Sequence, residues 1–125
     1  MIHTVLIGLD GATFSVLDPL MQDGVTPFLK SFVASGVRAE LRSTVPALTP
    51  PAWTSLMTGR GPGQHGIFDF FRRESPQSQH IRFLTSRDIE CETIWSLVSR
   101  HGLQATVLNF PLTFPPPAIN GYVVP

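Results

Sequence analysis

Cysteine is nearly missing from this chain: Cys91 stands alone, so no intrachain disulfide can form and no cysteine-based metal cluster can be built. Lysine is as scarce, with Lys30 the only one among 9 basic residues, and 9 acidic residues bring the net charge to zero. That balance implies no general attraction to a nucleic-acid polymer or an anionic membrane, so any anion site has to be local. No apolar run approaches a membrane span, and no basic segment followed by a signal-type apolar region opens the chain, which points to a cytoplasmic protein. Internal repeats are absent too. Proline, by contrast, is abundant: there are 12 in 125 residues, concentrated at 46–51 and 111–117, where they impose extended connections. A hydrophobic content of 42% suffices to build a core.

Taken in order, His3 to Leu9 is a short apolar, β-branched run that reads as a buried strand delivered into the Asp10-Gly11 turn. Functional groups gather beyond the carboxyl ends of parallel strands, which makes Asp10 a candidate ligand, although an Asp-Gly turn accounts for the same residues. Phe14 to Met21 suits a short helix or turn. Thr26-Pro27 opens a second helix, with Phe28, Leu29, Phe32 and Val33 at helical spacing and Gly36 as its stop. Val37, Ala39 and Leu41 then alternate with Arg38, Glu40 and Arg42, the period-two pattern of a half-exposed strand.

The stretch Thr44 to Gly66, TVPALTPPAWTSLMTGRGPGQHG, concentrates the chemistry. Thr49 precedes Pro50 and Pro51, which favours a helix with Thr49 at its N-cap. A hydroxyl there meets unpaired backbone N–H groups and the positive end of the helix dipole, a setting that favours an alkoxide or a bound phosphate. The same residue also serves simply as a cap. Thr58-Gly59 closes the helix, and GRGPGQHG is a turn that lacks the GK[ST] ending of a P-loop. His65 in that turn reads as structural rather than as a metal ligand. Arg72 to His80 has the composition of an exposed loop, with His80 facing solvent. Ile81 to Leu84 suits a short strand, Thr93 to Arg100 a helix, Leu103 to Phe110 a buried strand, and Gly121 to Pro125 the start of another, while Pro111 to Pro117 cannot continue a sheet. This alternation favours an α/β fold with parallel pairing. An apolar strand at the very end of the chain is expected to leave a sheet face uncovered, which marks the chain as a fragment and invites association into oligomers.

In combination, VLIGLDG, then TPPAWTSLMTG, then P-x-x-H-G-I resembles the alkaline phosphatase superfamily, most closely its type I phosphodiesterase and nucleotide pyrophosphatase branch. The segment TIWSLVSRHGLQATVLNFPLTFPP is similar to that family's next helix and strand. The resemblance implies that residues 1–125 form the N-terminal portion of one catalytic domain, an α/β/α sandwich with a mostly parallel sheet. It implies that Asp10 binds one of two catalytic divalent metal ions, usually zinc, and that Thr49 is both metal ligand and nucleophile. The substrate would be a small-molecule phosphate ester, attacked to give a phosphothreonine intermediate. His65 matches a family histidine that is not a ligand. Where some nucleotide pyrophosphatases place an asparagine, this chain has Phe70, which points away from a nucleotide. A two-metal site takes about six protein ligands, and only Asp10 and Thr49 match here. The others are expected beyond residue 125, so the chain alone is expected to be inactive. A non-catalytic module and a phosphomutase of the same superfamily remain as alternatives; a Rossmann domain is disfavoured because LIGLDGA lacks G-x-G-x-x-G.

Overall fold

Threonine and proline set most of the helix starts. In the computed structural model, which describes residues 4–125, two compact units are present, one ending at Leu41 and one spanning Arg42–Pro125. In the first, α1 (Phe14–Gln22) is capped by Thr13, whose hydroxyl accepts the Ser15 N–H. Helix α2 (Pro27–Ala34) begins at a proline, where a missing N–H costs nothing. Arg38 returns the chain to α1: its guanidinium donates to both oxygens of Asp18 at 2.9 and 2.8 Å and stacks 3.8 Å above the Phe14 ring.

Neither expected strand of this region forms. Thr4–Leu9 has no strand pairing, with Val5, Ile7 and Leu9 exposed, and Val37–Thr44 has none either; His3 lies outside the described residues. Apolar and alternating patterns report only which way side chains would point in a sheet. A strand also needs a neighbour to take its N–H and C=O groups, and no sheet of the described residues includes these segments.

The second unit holds the rest. Helices α3 (Thr49–Thr58) and α4 (Pro62–His65) form a tight pair, followed by β1 (Phe71–Arg73), β2 (Ile81–Phe83), a 3-10 turn at Ser86–Asp88, α5 (Ile94–Arg100), β3 (Ala105–Leu108) and β4 (Gly121–Val124). β1 and β2 pair antiparallel with Arg72 opposite Arg82. β3 and β4 pair parallel with Val107 opposite Val123, so the chain is a mixed α/β protein with a parallel sheet. Gly121 is obligatory in that pairing: a Cβ there would lie 1.9 Å from the Ala105 carbonyl oxygen. Between the two parallel strands the proline-rich segment makes no strand, as its composition demands; it is pinned by Ser86, whose N–H donates to the Phe114 carbonyl and whose hydroxyl donates to that of Pro115. Met57 of α3, Trp95 of α5 and Val107 of β3 form the buried centre. Phe110 meets Trp53 and Trp95 edge-on at 5.1 and 5.5 Å, an arrangement that aligns ring edges with ring faces.

Candidate nucleophile site at the start of α3

Thr49 is the first residue of α3 rather than its cap. The first helical bond runs from the Ala52 N–H to the Leu48 carbonyl at 3.1 Å, and Leu48 has the extended φ of −123° and ψ of 157° of a capping position. This one-residue correction changes the chemistry around the hydroxyl. A helix normally leaves its first four N–H groups unbonded, but Pro50 and Pro51 fill two of those positions and have none. An anion at this end meets the dipole and the amides of Leu48 and Thr49 only, so the expected cradle of N–H groups is half removed. The prolines supply rigidity in its place. Both are buried below 2% exposure, as are Thr54 and Met57 further along the helix, while Thr49 itself is half-buried.

Behind α3 sits His65. Helix α4 starts at Pro62 and ends at Gly66, whose φ of 77° is a left-handed conformation that glycine adopts without strain. The turn carries the His65 ring into the interior, where it is fully buried. Its Nδ1 accepts the Ile67 N–H at 3.1 Å, which places the ring proton on Nε2, 3.0 Å from Ser55 Oγ. Burial pushes the His65 pKa down, opposed by the carbonyls of Pro51 and of His65 itself, so the ring is neutral at pH 7. Ser55 and His65 thus have the spacing of a nucleophile and its base but the wrong proton. Nε2 donates to Ser55 and cannot deprotonate it. The structural role expected for His65 is the one its surroundings describe.

Asp10 belongs to the first unit. It stands exposed in a turn completed by Gly11, whose φ is 68°, and the Thr13 N–H returns to the Gly11 carbonyl at 2.9 Å. Among the described residues no three His, Cys, Asp or Glu side chains are grouped to hold a metal ion. His80 is exposed, and Cys91 is half-buried with its Sγ donating to the Gln64 carbonyl at 3.2 Å.

The sequence matches the family described as type I phosphodiesterase / nucleotide pyrophosphatase over residues 4–124. The chain belongs to this family. The match takes in the Asp-Gly turn, the Thr-Pro-Pro helix start and the His-Gly-Ile turn. No curated protein and no solved structure matches the chain. Among the described residues no helix is long and apolar enough to cross a membrane.

Two features of this phosphodiesterase-family chain escape sequence reasoning. One is the Ser55–His65 contact. The other is Asp88, which receives both guanidinium nitrogens of Arg82, the Thr85 N–H at 2.8 Å, and Arg72 at 3.6 Å. Arg72 and Arg73 belong to β1 rather than to the loop expected from Arg72 onward, and both are exposed there. The bond to Arg82, opposed by burial and helped by the Thr85 donors, holds the Asp88 carboxyl far below the usual carboxylate range. Its available signal was Thr-Ser-Arg-Asp at 85–88, a cap with an acidic residue three positions on.

Proposed function

We propose that this chain carries the nucleophile of a metal-dependent phosphoester hydrolase, with Thr49 attacking phosphorus and Asp10 and Thr49 contributing metal ligands. Family membership across residues 4–124 supports the reaction class, and the single observation behind the residue is the half-buried hydroxyl at the dipole end of a helix anchored by two buried prolines. In the step, Thr49 Oγ bonds to phosphorus as the ester P–O bond breaks. The leaving alkoxide takes up a proton, and water later cleaves the threonine ester. On a diester the covalent species is an alkylphosphoryl-threonine.

Two divalent ions, with zinc as the candidate, complete the proposal, and they would supply charge stabilisation and a lowered alcohol pKa. In this proposal Asp10 and Thr49 would be part of the donor set, and among the described residues no three His, Cys, Asp or Glu side chains are grouped to complete it. The prolines make the ions more necessary: with two N–H donors missing from α3, its N-terminus is a weak substitute for a cation. Small-molecule phosphate esters are the proposed substrates, and Phe70, exposed beside Asp69, offers an apolar surface where an amide would serve a nucleotide phosphate.

The test is release of 4-nitrophenolate from bis(4-nitrophenyl) phosphate with added Zn²⁺, measured on this chain and on the longest product its gene encodes. Zinc-dependent release that disappears in Thr49→Ala supports the proposal. Release absent from both proteins, or undiminished in Thr49→Ala, overturns it.

A further inference from the structure

His65 meets α3 at the turn that follows Thr49. Its Nε2 lies 3.0 Å from Ser55 Oγ, and the Pro51 carbonyl, one helical turn earlier, also faces the ring. On the other side of the residue, the His65 carbonyl accepts the Glu90 N–H at 3.1 Å, and the neighbouring Gln64 carbonyl accepts from Cys91 at 3.2 Å. α4 is thereby bound through its backbone to the 90–91 segment and through the His65 side chain to α3. The Ala52-to-Leu48 bond is the first that closes the turn carrying Thr49, as in any helix that starts there, and the His65 contacts fall on the residues around it, Pro51 and Ser55.

We propose that His65 is a positioning residue for Thr49: by holding the Pro51–Ser55 turn against α4, it fixes the direction from which the threonine oxygen approaches phosphorus. This rests on the nucleophile reading above. His65 takes no part in proton transfer, since its one ring proton is engaged as a donor and its Nδ1 is occupied by Ile67. A histidine that merely filled space would, when replaced, loosen α3 and the Met57–Trp95–Val107 core together, whereas a positioning residue affects the α3 turn first.

The experiment compares His65→Asn, His65→Gln and Ser55→Ala by amide hydrogen exchange on the chain, and by steady-state hydrolysis of bis(4-nitrophenyl) phosphate with Zn²⁺ on the active protein. Asparagine can accept from Ile67 but cannot reach Ser55; glutamine places an N–H near the Nε2 position. The expected result is faster exchange at Ala52 to Ser55 in His65→Asn with Ala105 to Leu108 unchanged, and kcat lower by about 10- to 100-fold at constant KM. Glutamine should restore part of both, and Ser55→Ala should show the same local pattern, weaker, even if the asparagine variant does not fold. Unchanged exchange and kcat, or equal loosening of α3 and β3 in all three variants, overturns the inference. Should the unaltered protein and Thr49→Ala hydrolyse equally, the function reading fails instead, and the exchange data still decide whether His65 holds the turn.

Discussion

Thr49 is held by the same two prolines that strip its surroundings of donors, and this trade shapes what can be expected of single residues. Replacing it with alanine changes a half-buried helix start, so some stability goes with the hydroxyl, while activity should fall by at least about 10³-fold. Thr49→Ser keeps the oxygen and should retain measurable activity; urea unfolding and a turnover assay on the same preparations separate the two effects. His65 carries a pH prediction. Its folded pKa lies below the unfolded value of about 6.5, so the unfolded chain binds the proton first as pH falls. The stability contributed by the neutral ring is fully present above about 6.5 and declines as pH drops from there toward the folded pKa. Urea midpoints between pH 8 and 5 should show that decline, and His65→Asn should flatten it.

Among the elements, the turns give the sharpest contrasts. Gly59 has a φ of 65° with open space around it, so Gly59→Ala costs only the left-handed conformation, about 1 kcal/mol. Gly121→Ala drives a Cβ into the Ala105 carbonyl and should break the β3–β4 pairing, with a visibly larger loss in thermal midpoint than Gly59→Ala. Asp88→Asn removes the charge and replaces one of the two acceptor oxygens that join β2 to the 3-10 turn with an NH2 donor, and should destabilise by about 1–3 kcal/mol in urea. Because the Asp88 pKa is depressed, its contribution is present above about pH 4 and is lost as acid approaches the folded value. How much of this was legible follows from how local each signal is. α2, α3, α5, β2, β3 and β4 were readable because proline starts, glycine stops and apolar spacing act within a few residues. Thr4–Leu9 and Val37–Thr44 read as strands and are not, because strand formation depends on a partner that no local pattern specifies. Thr49 and Asp10 stood out through ordered short motifs. The Ser55–His65 contact did not, since it exists only once α4 folds back on α3.

At the scale of the whole molecule, zero net charge and the apolar residues in the open on the parallel pair are the grounds on which we propose self-association. Leu108, Tyr122 and Val124 on the parallel pair are 60%, 75% and 51% exposed. Sedimentation velocity over a range of concentrations is expected to show self-association, and Tyr122→Lys with Val124→Lys should reduce it; a monomer at all concentrations contradicts the proposed association. Family membership over 4–124 makes phosphoester chemistry the frame for every other expectation. The most direct measurement is the covalent one: acid-quench the protein during turnover of bis(4-nitrophenyl) phosphate with Zn²⁺, digest it, and locate the added mass. A 4-nitrophenylphosphoryl group on the peptide containing Thr49, absent from Thr49→Ala, is the predicted result. Turnover with the adduct on another residue, or undiminished in Thr49→Ala, would contradict Thr49 as the nucleophile.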